Sequence, residues 1–135
     1  MKKIVYLSGG IGGAKLAKGF YNLNEIDLTI IINTGDDETI QGVRLSPDID
    51  SVIYALAGIE GDLGWGQKND SFVVSKEFKK YFPQEFSIGD KDLALNLFRN
   101  QLFSEGKSLT QITKIISDKF GLNCKIFPMT DNLVS

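Results

Sequence analysis

Histidine is missing from this chain of 135 residues, and cysteine occurs once. Without an imidazole there is no ordinary general base near neutral pH and no usual nitrogen ligand for a transition metal. The single cysteine, Cys124, excludes an internal disulfide and a thiolate zinc cluster. Its neighbours Leu122, Lys125, Ile126 and Phe127 make it read as a buried strand residue. A basic surplus is lacking too: 15 Lys and Arg stand against 17 Asp and Glu, for a net charge of −2. That balance offers no broad surface for nucleic acid or an anionic membrane, so any phosphate site must be local. No apolar run approaches the length of a membrane span. Met1-Lys2-Lys3 and the short run after it are too brief and too glycine-interrupted for a secretory signal. A cytoplasmic protein is the expectation. What is present, 42% hydrophobic and 24% charged residues, suits one globular core.

The stretch Ser8-Gly9-Gly10-Ile11-Gly12-Gly13-Ala14-Lys15-Leu16 follows the apolar run Ile4-Val5-Tyr6-Leu7. It leads into Leu16, Ala17 and Phe20 at helical spacing. Strand, glycine turn and helix start, in that order, suit an anion: glycine lets the backbone approach closely, and the free N–H groups of the first turn point at it. A tight turn without a ligand would use the same residues. Gly10 and Gly12 match a dinucleotide fingerprint, but Lys15 holds its third glycine place, and no Gly-Lys-Ser/Thr is present for a Walker loop.

Residues 3–7 read as a fully buried strand, 13–22 as a helix, and Asp27–Ile32 as a second strand apolar on both faces. That order predicts a parallel sheet, with ligands gathering beyond the carboxyl ends of its strands. Asn33-Thr34-Gly35-Asp36-Asp37 lies there. Ser46, Pro47 and Asp48 open a helix as cap, first residue and dipole partner, with Ile49, Val52, Ile53, Leu56 and Ala57 on one face and a stop at Gly58. Residues 61–89 are irregular, with a short strand and helix expected within 71–82. Trp65, between Gly64 and Gly66, reads as packing ahead of stacking on a planar ligand. Asp90 is expected to cap a helix with Ala94, Leu97, Phe98 and Leu102 inward. Ser108 and Gln111 form a capping box for another, with Leu109, Ile112, Ile116 and Phe120 inward. Cys124–Phe127 closes the chain's strands, and Asp131 follows.

Acidic residues therefore stand after several structural switches: Asp36/Asp37, Asp48/Asp50, Asp90/Asp92 and Asp131. Carboxylates near a phosphate loop suit magnesium, and a carboxylate can orient or deprotonate an attacking hydroxyl. Each is also at home in a turn or helix start for local hydrogen bonds alone. Lys15, Arg44 and Lys91 are the candidate cations for phosphate or carboxylate groups.

In order and spacing, the glycine loop, Ile32–Asp37, Ser46–Tyr54, Gly64-Trp65-Gly66, Ile88–Ala94 and Pro128–Asp131 resemble the 2-phospho-L-lactate transferase family of coenzyme F420 biosynthesis. The resemblance implies transfer of a phospholactyl or phosphoenolpyruvyl group from a guanosine diphosphate-linked donor to the deazaflavin alcohol FO (7,8-didemethyl-8-hydroxy-5-deazariboflavin), with GMP released and Mg2+ required. It further implies that Gly9, Gly10, Gly12, Gly13 and Lys15 hold donor phosphates. Ser46, Asp48, Asp50 and Lys91 would bind FO, Asp50 would orient its hydroxyl, and Asp36 and Asp37 would neighbour the metal. Members carry arginine at the position of Lys91, so a bidentate contact becomes a point charge here.

Residues 1–135 are expected to form a single α/β domain, Rossmann-like and three-layered, with a mainly parallel sheet incomplete at its C-terminal side. Members run well beyond this length, so the chain reads as the N-terminal part of a longer transferase domain. Its partner would be a separate C-terminal half or a second copy. An NAD(P)-binding oxidoreductase module, with Asp36 on the ribose, and a non-enzymatic sensor of nucleotides or sugar phosphates are the competing readings.

Overall fold

A computed structural model describes residues 1–83 and 87–133. The β-branched run Ile26–Ile32 forms β2, flanked in parallel by β1 (Lys2–Ser8) and β5 (Lys125–Pro128), giving the sheet order β1-β2-β5. Ser8, Ile32 and Pro128 share the last register row at the carboxyl edge. Helix α1 (Ile11–Tyr21) carries the chain from β1 to β2. This is the strand–helix–strand unit expected, and the molecule is an α/β fold around a parallel sheet.

The remaining elements are a hairpin of β3 (Glu38–Ile40) and β4 (Val43–Leu45), then α2 (Pro47–Ala57), α3 (Val73–Phe78), α4 (Asp90–Ser104) and α5 (Leu109–Lys119). The hairpin is absent from the sequence reading. It turns at Gln41 and Gly42, with φ of 51° and 78°, the paired positive values a two-residue hairpin requires. It leans on α4: Asn100 donates to the Gly42 carbonyl at 2.9 Å, and the Arg44 guanidinium lies 4.8 Å from the Phe103 ring centre. Residues 71–82 hold α3 and no strand.

One core joins Ala14 and Ala17 of α1, Leu28, Ile30 and Ile32 of β2, Ile49, Val52 and Ile53 of α2, Ile112 and Ile116 of α5, and Ile126 of β5. Helices therefore cover one face of the sheet. On the other, Val5 and Leu7 are 64% and 73% exposed and Phe127 stands in register beside them. β1 is consequently buried on one face, where burial on both was expected. A second helical layer does not occur among the described residues.

Local signals decide most helix ends. Gly58, with φ of 73°, caps α2, and the Ser108–Gln111 capping box of α5 is formed in both directions. Helix α1 begins at Ile11, two residues earlier than expected, so Gly12 and Gly13 are helical. The inward face of α4 is Leu93, Asn96, Arg99 and Leu102, while Ala94 and Leu97 are exposed. The apolar pattern misplaced that face because two of its inward residues are polar. Cys124 sits just before β5, half-buried, and burial pushes its thiol up to about 11, which leaves it a poor nucleophile.

Candidate functional site

The loops beyond the Ser8–Ile32–Pro128 row bring the glycine turn against the acidic turns. Only Gly9 and Gly10 separate β1 from α1. A Cβ on Gly10 would come within 2.9 Å of Asp48 Oδ1, and one on Gly13 within 2.5 Å of Ser8 Oγ. Glycine thus allows the loop to meet α2 and α1 to lie on β1. No side chain caps α1 and its first turn holds no acid, so the positive end of its dipole lies beside Asp48 at the start of α2.

Asn33 donates to Asp48 Oδ2 at 2.9 Å. Ser46 stands at the cap position of α2 but does not cap: its hydroxyl donates to Asp37 Oδ2 at 2.8 Å. Asp37 Oδ1 is buried without a partner among the described residues, and burial raises this carboxyl, opposed by the Ser46 hydrogen bond. Asp36 is exposed in the same turn. Among the described residues, no three His, Cys, Asp or Glu side chains gather as a metal cluster.

Lys15 borders a separate hollow between α1 and residues 60–64, next to Lys18, whose ammonium pairs with Glu60 at 3.0 Å. Lys91 is exposed at the start of α4.

Beneath the edge runs a buried polar chain whose central members, Arg99 and Asn96, sequence reasoning missed. Arg99 is 0% exposed. Its two terminal nitrogens engage both oxygens of Asp50, and Nη1 also donates to Asn96 Oδ1 at 2.5 Å. Burial raises the Asp50 carboxyl, with Arg99 opposing; burial would also discharge the guanidinium, but Asp50 holds it charged. Asn96 donates to the Asp92 carbonyl at 2.8 Å, and Tyr54 donates to Asp92 Oδ1 at 2.6 Å. Burial, and then the charges of Asp50 and Asp92, push the Tyr54 phenol far up, so it stays a donor. Burial also pushes Asp92 up to about 6. One signal for Arg99 was available: an aspartate inside the otherwise apolar run of α2 needs a buried countercharge.

This chain walls two adjoining hollows. The first, about 150 Å³, is bordered by Asp50, Tyr54, Asp92, Asn96, Pro47 and Trp65. The second, about 370 Å³, shares Trp65, Gly66 and Asp92 with it and adds Asn69, Asp70 and Phe72. Trp65 is 48% exposed, so its indole is a wall and not core packing. Gly64 and Gly66, with φ of 87° and 64°, allow the loop that carries it.

Other acids turn out to be caps. Asp70, not Asp90, serves the start of α4, accepting from the N–H groups of Lys91 and Asp92 at 2.9 and 3.2 Å. Gly89 has no Cβ to obstruct it. Asp90 instead accepts from the N–H groups of Val73 and Val74 at the start of α3, both at 3.0 Å. Asp131 accepts from the Thr110 N–H at 2.8 Å, at the start of α5.

A parallel sheet with a glycine turn and acidic turns crowded at its carboxyl edge defines a Rossmann-like α/β protein with an acidic, hollow-backed site. Residues 4–135 match the family described as 2-phospho-L-lactate transferase CofD, and the chain belongs to that family. It is 38% identical to a phosphoenolpyruvate transferase of Thermobifida fusca, covering 98% of this chain and 45% of that protein. Against a 2-phospho-L-lactate transferase of Methanospirillum hungatei it is 40% identical, covering 96% and 44%. Among solved structures, a protein of the UPF0052 family from Bacillus halodurans superposes with a TM-score of 0.64 at 19% identity, over 98% of this chain and 40% of that one. The chain therefore spans less than half the length of these relatives. Membership in a transferase family speaks against the oxidoreductase and sensor readings. Among the described residues no helix is long and apolar enough to cross a membrane.

Proposed function

We propose that this chain supplies the acceptor side and the phosphate-facing loop of a transferase that moves a phospholactyl or phosphoenolpyruvyl group from a guanosine diphosphate-linked donor to FO, releasing GMP in the cytoplasm. The observation that carries the reading is the meeting of the Gly9-Gly10 turn with Asp48 in the first turn of α2, the same turn that brings Asp50 to a hollow shared with Tyr54, Asp92 and Trp65. The names of the relatives, phosphoenolpyruvate transferase and 2-phospho-L-lactate transferase, support the reaction class.

In this reading the donor phosphates lie at the start of α1, on the N–H groups of the Gly9–Gly13 segment. Lys15 reaches them from the flank. Asp48 and Ser46 bound the acceptor hydroxyls, and Lys91 meets FO or phosphate from the α4 end. Asp50, clamped by Arg99, is a fixed negative wall that orients the attacking hydroxyl. Asp37 has one buried oxygen without a partner among the described residues, which fits a Mg2+ that takes one or two carboxylates, water and substrate phosphates; Asp36 stands beside it. Bound there, Mg2+ supplies neutralisation of diphosphate charge.

The uncovered face at Val5, Leu7 and Phe127 is assigned to the rest of a family-length domain, because parallel sheets are buried on both faces. The decisive assay combines this chain with the remainder of such a domain, FO, the guanylated donor and Mg2+. Formation of GMP and the FO adduct supports the reading; folded protein that neither quenches FO fluorescence nor makes product overturns it. Exchange protection of β1 and β5 on adding the remainder supports the assignment of the bare face, and a homodimer that buries it refutes that assignment.

A further inference from the structure

A hydroxyl that attacks phosphorus must lose its proton, and the site offers five buried or half-buried carboxylates to receive it, of which Asp70 has both oxygens on the N–H groups of Ser71, Lys91 and Asp92. Asp50 has both oxygens on Arg99. Asp48 has one oxygen on Asn33 and the other against the Gly10 backbone. Asp37 is tied to Ser46 and stands in the turn after β2, where the metal reading already uses its free oxygen. Asp92 alone of these carboxylates both borders the hollows and has an oxygen with no hydrogen-bond partner among the described residues. Its Oδ1 is held by the Tyr54 hydroxyl and approached by Asn96, while Oδ2 accepts no hydrogen bond among the described residues. Asp92 borders both hollows, as does Trp65, which is 48% exposed.

We propose that Asp92 is a catalytic residue, the proton acceptor for the attacking hydroxyl of a planar ring alcohol that lies against Trp65 in the two joined hollows. The inference rests on the transferase reading above. The acceptor oxygen forms a bond to phosphorus, and the bond from phosphorus to the bridging oxygen of the nucleoside monophosphate breaks. That oxygen leaves with the electron pair, and the hydroxyl proton passes to Asp92 Oδ2.

The surroundings suit the role. Asp50 and Tyr54 face Asp92 from α2, Asp70 from the loop before α3, and Arg99 and Lys91 share its own helix. Burial and the two neighbouring aspartates keep this carboxyl more basic than an ordinary one, whereas the Tyr54 hydrogen bond and Arg99 hold it down. Such a base is ionised at neutral pH and still basic enough to accept a proton.

The test uses the chain completed by the rest of the domain, with FO as acceptor, and compares the parent with Asp92→Asn and Tyr54→Phe. Expected for the parent is a kcat that rises with pH to a plateau above about 6. Asp92→Asn should lower kcat on the order of 10²–10⁴-fold and abolish that rise, while FO affinity, read by its fluorescence, stays within about threefold. Tyr54→Phe should move the rise to higher pH by removing the hydrogen bond that lowers Asp92. A kcat for folded Asp92→Asn within about threefold of the parent, or an unshifted profile in Tyr54→Phe, overturns the assignment and leaves the transferase reading standing. A parent that neither binds FO nor turns over removes both.

Discussion

At the starts of α3, α4 and α5, Asp90, Asp70 and Asp131 accept from backbone N–H groups, whereas Asp37, Asp50 and Asp92 are buried or half-buried and engage the side chains of Ser46, Arg99 and Tyr54. Hydrogen bonding to Ser71 and to the Val74 and Val73 N–H groups holds Asp90 below the usual carboxylate range. Burial pushes Asp37, Asp50 and Asp92 the other way. The same residue type after a structural switch thus stabilises the fold in one region and strains it in the other. For Asp90 against Asp37, Asp50 and Asp92, burial and not the local motif sets the difference.

Removal of the buried cation tests this contrast most severely. Arg99→Met leaves Asp50 buried and unpaired, and should cost about 3–5 kcal/mol in urea denaturation. Asp50→Asn combined with Arg99→Met should be clearly less damaging than Arg99→Met alone, since no charge is stranded. Equal losses for the single and double variants would show that the pair is not coupled.

Asp92→Asn should move stability in the opposite direction. The folded state holds this proton up to about pH 6, against an ordinary value of 3.8, so stability falls as pH rises between those values. At pH 7 the full cost of the ionised group is being borne. Neutralising it should stabilise the fold by roughly 1–2 kcal/mol after allowance for partial exposure, and thermal melts from pH 4 to 7 should flatten. A variant less stable than the parent at pH 7 contradicts the burial argument.

At the surface the sign reverses again. Asp131→Ala removes the acceptor for the Thr110 N–H and should cost about 1 kcal/mol, read as a lower melting temperature. Lys91→Ala should change stability by less than about 0.5 kcal/mol, because its side chain is exposed and, among the described residues, only its backbone N–H is engaged. A loss of FO affinity in that variant without a loss of stability would sharpen its place on the site side.

Legibility followed the range of the interactions. The capping box of α5, the terminator of α2 and the parallel β1–α1–β2 unit rest on neighbours within a few positions, and all are formed as read. The hairpin at Gln41-Gly42 has no apolar alternation strong enough to announce it, and Asn100, far along the chain, supports it. The face of α4 was misplaced because Asn96 and Arg99 are inward only in answer to Asp50 and Asp92. Ser46 carried a cap signal, yet its hydroxyl is drawn to Asp37.

By itself the sequence determined the order of elements, the parallel sheet, the caps written in adjacent residues and the family, since these depend on periodicity and on motifs read along the chain. Tertiary structure alone decided which aspartates hold helix starts, that Asp50 is clamped, and that Asp92 Oδ2 has no hydrogen-bond partner among the described residues. Burial and pairing between α2 and α4 set those charges, and no spacing along the chain encodes the dielectric around a side chain.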